Sequence, residues 1–473
     1  MLTLVSGFWG SDGGFEMPAV TSRRGRGREG GHRRPLLIAA IVVAFVVVAA
    51  ACGNSKGNTT QGGNGGGGSP GGTSSSGQVA VNAPGVTATE IRVGGVASVT
   101  NPLGGNYGDI FKGVQAYFDM INSQGGIYGR KLVLAAQLDD HLSNNQQSVT
   151  QLLTQENVFA VMPVAVLLFS GANTLVRANV PTFGWTINPE WSGTKANPKL
   201  NLFGESGSYL GFTDPSPVLP WLAQQTDRHK VGVLAYSVAQ SAECATGVKN
   251  SFDKYGDLAD AKVVFEDKSI SFGVASLAPQ VTKMKQAGVD LVTTCMDTNG
   301  VVTLAKEMKK QGLDAIQYLP DAYDHTFIKS YGDLFEGSVV RTDFTQWELP
   351  KDEQPAALGD YLNWIGKQST TPSQDSMNGW LNADLFVAGL KAAGPDFSRQ
   401  KVIDAINKMT DYKAHGLLQH VDWTISHTGT DNTYCQFLST IKDSTYVTDF
   451  SKPGKPFICI VEKDGKLSAN YTS

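Results

Sequence analysis

Catalysis needs particular residue types at tight spacings, and this chain of 473 residues offers few such sets. Ser439-Thr440-Ile441-Lys442 matches S-x-x-K, a serine nucleophile beside a lysine, but it falls in a predicted strand without companion motifs. G-x-S-x-G occurs at Gly53–Gly57 and Gly67–Gly71, both inside a glycine-rich tether where no strand-to-helix elbow can form. Asp139 and Asp140 follow a strand and could mimic an acid–base pair; a solvated strand-end turn is the expected reading. The seven histidines are scattered. No His/Cys set has metal-ligand spacing, and GGNYGD does not spell the dinucleotide fingerprint G-x-G-x-x-G. The chain is therefore expected to be no enzyme and to need no metal or cofactor.

Recognition of a small solute fits the residues better. In open α/β sheets, ligands sit beyond the carboxyl ends of the strands. The stretches just after predicted strands are Thr100–Tyr107, Phe169–Ser170, Trp185–Thr186, Tyr236–Gln240, Cys295–Thr298 and Asp321. They mix aromatic faces that carry a polar handle, hydroxyls and one carboxylate. A ligand carboxylate could dock at a helix start near Gly105 or Ser170.

The elements that must hold these residues begin with Glu90–Asp140, a strand, a glycine turn, a helix and a second strand. In the helix, Ile110, Val114, Tyr117, Phe118 and Ile121 share one face of a 3.6-residue repeat, and Gly125-Gly126 supplies its stop. The same grammar continues. Helices are expected at Asn144–Glu156 and Ser170–Ala178, and strands at Val158–Pro163 and Val180–Trp185. After a lapse at Leu202–Pro217 a second set runs from His229 to Pro320. Strand and helix alternation of this length implies parallel strands with right-handed crossovers. Further helices are expected from Asp360, at Asn382–Ala393 and at Phe397–Met409, before a strand-rich tail.

The first 51 residues read differently. Six arginines between Arg23 and Arg34 precede an apolar run, Leu36–Ala51, and then Cys52. That is an export signal by pattern, with an uncleaved anchor as the alternative. Val48-Ala49-Ala50-Ala51-Cys52-Gly53 resembles a bacterial lipobox, in which the cysteine is lipidated; Ala49 stands where leucine is usual. Asn54–Gln78 is nearly all Gly, Ser, Asn, Thr and Gln, a tether that buries no core. The net charge of −4 gives no basic face for nucleic acid. Four cysteines follow: Cys244, Cys295, Cys435 and Cys459, allowing three disulfide connectivities. Chain proximity favours Cys435 with Cys459, leaving Cys244 and Cys295; buried free thiols are the alternative.

The stretch TATEIRVGGVASVTNPLGGNYGDIFKGVQAYFDMINSQGGIYGRKLVL resembles the opening of the branched-chain amino-acid-binding proteins. The likeness continues through VFAVMP, VPTFGWTINPE, HKVGVLAYS, GVDLVTT and GWLNADLFVAGLKAAG, spanning about Val86 to Gly429. It implies two doubly wound Rossmann-like lobes joined by a three-strand hinge, the type I periplasmic-binding fold, in the substrate-binding subunit of an ABC importer. The hinge strands would lie near Gly207–Pro217, Val340–Thr345 and Ser426–Asn432. The implied organisation is signal 1–51, linker 52–80, lobe 1 at 81–210 and 341–428, and lobe 2 at 211–340 and 429–473. By the same resemblance Tyr107 is the ligand-side aromatic, Ser170 and Thr186 hold a carboxylate, and Trp185 stands at a small-residue position. Gln240 replaces a frequent tyrosine, Asp321 receives an amine, and Trp380 is a helix-start aromatic. The implied partners are a small molecule and ABC permease subunits. The implied state is a monomer anchored by lipidated Cys52 on the outer membrane face. A ligand sensor of the same fold, without transport, is the alternative.

Overall fold

Lobe 1 is built from β1 (Glu90–Ala97), α1 (Asp109–Ser123), β2 (Lys131–Asp139), α2 (Asn145–Thr154), β3 (Ala160–Ala165), α3 (Ala172–Arg177), β4 (Thr182–Gly184) and β5 (Leu202–Gly204). The computed structural model describes residues 78–430 and 435–472, so the signal, Cys52, most of the tether and the Asp431–Asn432 end of the expected hinge lie outside the described residues. The five strands are parallel in the order β2-β1-β3-β4-β5. All five apolar α1 residues named above are buried, as an amphipathic helix laid on a sheet requires.

The chain then crosses over. Next come α4 (Val218–Gln225), β6 (Lys230–Tyr236), α5 (Ala239–Ala259), β7 (Lys262–Ile270), α6 (Ala278–Ala287), β8 (Leu291–Cys295), α7 (Thr298–Gln311), β9 (Ile316–Leu319), α8 (His325–Tyr331) and β10 (Val339–Thr342). Strands β6 to β10 are parallel in the order β7-β6-β8-β9-β10, which repeats the winding of lobe 1. A return to lobe 1 supplies α9 (Ala356–Gly366), α10 (Gln374–Ala393) and α11 (Arg399–Ile406). The tail adds β11 (Cys435–Lys442), β12 (Thr445–Val447), β13 (Phe457–Lys463) and β14 (Lys466–Thr472) antiparallel to the second sheet.

Helix α10 starts eight residues before the expected Asn382. Ser373 caps it with a reciprocal Ser373/Ser376 capping box, which satisfies backbone N–H groups that the first turn leaves unpaired. Gly379 looks like a break in the sequence but sits inside the helix, because a Cβ there would run into the Ile110 carbonyl of α1.

The crossovers lie side by side. Ser208 N donates to Ser426 O at 3.2 Å, Thr345 N to Leu417 O at 2.8 Å, and Phe344 bridges Leu418. Two disulfides are present. Cys435–Cys459 joins directly opposed residues of β11 and β13, and Cys244–Cys295 ties α5 to the end of β8. At the other end, Gln78 Nε2 donates to Ala88 O at 2.8 Å and Arg130 Nη2 to Val79 O at 2.8 Å, so the last tether residues are pinned to lobe 1. Among the described residues no helix is long and apolar enough to cross a membrane.

Candidate functional site

The carboxyl ends of the two parallel sheets face one another across a cavity of about 410 Å³. Lobe 1 supplies Tyr107 from the turn before α1, Leu167 after β3, Trp185 and Thr186 after β4, and Glu205 after β5. Lobe 2 supplies Tyr236 at the end of β6, Gln240 at the start of α5, Phe272 after β7, Asp297 after β8, Asp321 after β9, and Arg341 and Asp343 at the end of β10. Gln374 and Asn378 reach in from the first turns of α10. A strand that ends at the cleft delivers its next few residues there, so each wall follows from the doubly wound topology.

Of the residues expected to touch a ligand, Tyr107, Trp185, Thr186, Gln240 and Asp321 line this cavity. Tyr107 and Trp185 lie 5.2 Å apart between ring centroids and make one aromatic wall. Ser170 and Trp380 do not line it. Phe169 turns inward against Trp191 at 5.0 Å, which leaves Ser170 on the outside of the loop, exposed. Trp380 is not at a helix start. It sits well inside α10 with an exposure of 1%, edge-on to Tyr117 at 4.8 Å and Tyr361 at 5.6 Å, and it packs the core of lobe 1.

The two lobes touch at the mouth. Asn299 N donates to Leu103 O at 3.1 Å, and Asn299 Nδ2 to Pro102 O at 3.2 Å. Gln240 Nε2 donates to Leu167 O at 2.9 Å. Phe272 of lobe 2 packs on the apolar cluster of lobe 1 that contains Tyr107 and Trp185. Gly104 is required here twice over: its φ is +82°, and a Cβ would strike the Asn299 amide. This is a closed cleft.

The sequence profile of the periplasmic binding protein family matches residues 90–444. The chain belongs to that family. No curated protein sequence matches it. Among solved structures, it is similar to the branched-chain amino acid transporter substrate binding protein LivJ from Streptococcus pneumoniae in complex with isoleucine. The identity is 17%, the match covers 76% of this chain and 98% of that one, and the TM-score is 0.61. A solute binding protein of an ABC transporter from R. palustris, in complex with benzoate, matches at 17% identity, 76% and 95% coverage and TM-score 0.61. A fatty acid ABC transporter substrate-binding protein from Thermomonospora curvata matches at 18% identity, 81% and 95% coverage and TM-score 0.62. These likenesses show the type I two-lobe fold, and family membership implies an extracytoplasmic place of action.

In this periplasmic binding protein the charge of the cleft is lopsided. Glu205, Asp297, Asp321 and Asp343 line it, against the single guanidinium of Arg341 among the described residues. Burial, followed by Asp343, pushes the Glu205 carboxyl up to about 7. Burial, followed by Asp297 and Asp324, pushes Asp321 up to about 6. Asp297 is also raised by burial, although its side chain caps α7 by accepting from Gly300 N at 3.0 Å. Burial works against the charge of Arg341, but Asp343, whose Oδ2 accepts from its Nη2 at 2.6 Å, acts with Tyr318 and Glu205 to move its pKa up.

Glu205, Arg341 and Asp343 were not among the expected ligand residues, because they lie on stretches read as crossovers. Their signal was available in position: each stands within a residue or two of a strand end. The motif residues set aside as catalytic stay apart. Ser439 is fully buried in β11, while Lys442, three residues on and therefore on the other face, pairs with Asp449 at 2.8 Å. Asp140 corrects the solvated-turn expectation: it is fully buried, and its Oδ1 accepts from Leu142 N at 2.9 Å, while Asp139 accepts from the backbone of Thr100 and His141. Both carboxylates fasten the loop after β2.

Proposed function

We propose that this chain is an extracytoplasmic solute-binding lipoprotein that closes its two lobes on a small molecule and delivers it to the permease of an ABC transporter. The ligand class is an amino acid, an amino-acid-like compound, an amide or another small organic compound. The observation that carries this reading is the closed cleft: a cavity of about 410 Å³ walled by both lobes and bridged at its mouth by Asn299 and Gln240. Cavities of a few hundred Å³ that mix apolar walls with a few polar groups suit small ligands. Closure about side-by-side crossovers is a known way to bury one.

The remaining parts follow the sequence. Residues 1–51 are read as the signal, Cys52 as the lipidated residue, 52–80 as the tether, and the folded chain as a monomer working beside the membrane. A thermal-shift screen over amino acids, amides, small aromatics and short organic acids tests the solute-binding reading. A ligand present at 100 times its dissociation constant adds about 2.7 kcal/mol of stability. A flat response across the whole panel counts against it. Lipidation is tested separately by a fatty-acid label, which should mark the wild type and miss Cys52→Ser.

A further inference from the structure

Resting on the solute-binding reading, we propose that the cavity selects a small organic cation, an ammonium group on an apolar, ring-sized body, and disfavours any ligand that carries a carboxylate.

The donors at the end of β4 are the natural grip for an anion, and they are already taken. Thr186 N donates to Glu205 Oε2 at 2.9 Å, and Thr186 Oγ1 donates to the same oxygen at 3.1 Å. The protein's own carboxylate stands where a ligand's would have to go. The loop after β3 offers no substitute. Its side chains from Val164 to Phe169 are all apolar, and Ser170 turns outward. Its Leu167 N donates to Ser98 Oγ at 3.1 Å, and Leu167 O accepts from both Gln240 and Asn188.

Charge points the same way. Four carboxylates line the cavity against Arg341, and Arg341 is held by Asp343. Arg341 Nε, buried and without a hydrogen-bond partner among the described residues, favours an anion. It is outnumbered. Asp321 lines the cavity at the end of β9 and is half-buried there, so a ligand ammonium in the cavity would meet its carboxylate. The walls complete the fit. The Tyr107/Trp185 pair on one side and the Tyr236/Phe272 pair, 4.9 Å between centroids, on the other present ring faces that attract both cations and flat apolar groups.

As the pH falls toward and below neutral, cation binding here displaces protons from the cavity. The titratable groups facing Asp321 are Asp297 at the α7 cap, Asp324 at the α8 cap, Asp375 in the first turn of α10, whose carboxyl burial pushes well up, Arg341 on β10, and the Tyr107 hydroxyl, which burial also pushes up. Those facing Glu205 are Asp343, Arg341 and Asp375. With Asp321 near 6 and Glu205 near 7, both carboxyls are increasingly protonated as the pH falls, and a ligand ammonium competes with those protons.

The test uses three ligands that share one ring and differ in charge: phenethylamine, phenylalanine and phenylacetate, titrated calorimetrically into the full purified chain. Phenethylamine should bind at least about tenfold more tightly than either of the others. Its affinity should fall between about pH 8 and about pH 5.5, where it remains a cation throughout. Asp321→Asn, which keeps the shape and removes the charge, should weaken it by about 10–100-fold, the range expected for a charged hydrogen bond. A melting curve like that of the wild type would show that the variant is folded. Equal or tighter binding of phenylalanine or phenylacetate overturns the cation proposal but leaves the solute receptor standing. An unchanged affinity in Asp321→Asn overturns it too. Failure of all three ligands also overturns it, and the receptor reading is then decided by the wider thermal screen.

Discussion

Gly379→Val is expected to destabilise lobe 1 by about 3 kcal/mol or more, the upper range for overpacking a rigid core. Helices α1 and α10 cross through reciprocal glycines. A Cβ on Gly379 would collide with the carbonyl oxygen of Ile110, and a Cβ on Gly113 would collide with that of Ser376. Both obstacles are helical backbone, so neither can swing aside as a flexible side chain would. Most of α10 is buried, including Trp380, Leu381, Leu385 and Phe386, and a forced separation would expose apolar surface along its length. Gly359 in α9 is the control, since nothing lies within 4 Å of its missing Cβ. Gly359→Ala should be neutral or should stabilise by about 0.5–1 kcal/mol through helix propensity. Urea melts of the two variants check the contrast, and similar small effects from both would contradict the helix crossing.

Asp384→Ala should cost about 2–5 kcal/mol, as leaving buried hydroxyls without their acceptor does. Asp384 is 2% exposed in the middle of α10. It accepts from Tyr117 Oη at 2.7 Å and from Tyr412 Oη at 2.6 Å, with His415 Nε2 at 3.3 Å. The substitution strands two buried hydroxyls, each of which pays its desolvation without a partner. The network also sets a pH dependence. The hydrogen bond to Asp384 raises the His415 pKa. Its contribution is therefore complete below about 6.5, the unfolded value, and is lost as the pH rises through the raised folded value. His415 is largely exposed, so this part is small. Melting temperatures across that range should slope down in the wild type and flatten in Asp384→Ala; an identical slope in both would remove the pair.

The lobes were legible because burial imposes a period. Ile110, Val114, Tyr117, Phe118 and Ile121 fall on one helical face, and Gly125-Gly126 ends it, so α1 is written locally. The place of the cleft was legible for a topological reason: parallel strands all end on one side. Individual contacts were less so. The resemblance put Trp380 at a helix start, but α10 begins at Gln374 behind the Ser373 cap, and Gly379 within it answers to a neighbouring helix far away in sequence. Ser170 was misplaced because one inward residue, Phe169, decides which way its neighbour points. Glu205 could be ranked only once the fold had brought it to Thr186, nineteen residues earlier. Spacing along the chain says which residues end strands; it does not say which of them meet.

If the two lobes close on a solute, the distance between them must change when it binds. Ser143 after β2 and Ala275 after β7 are exposed, one on each lobe, each following the edge strand of its parallel set. Spin labels at Ser143→Cys and Ala275→Cys, with Cys52 replaced by serine and both disulfides intact, report that separation by pulsed electron resonance. Without ligand the distances should be longer and broader. Adding a ligand from the thermal screen should shorten and narrow them as Asn299 and Gln240 of lobe 2 dock on lobe 1. Identical distance distributions with and without a bound ligand would contradict closure and, with it, the receptor mechanism.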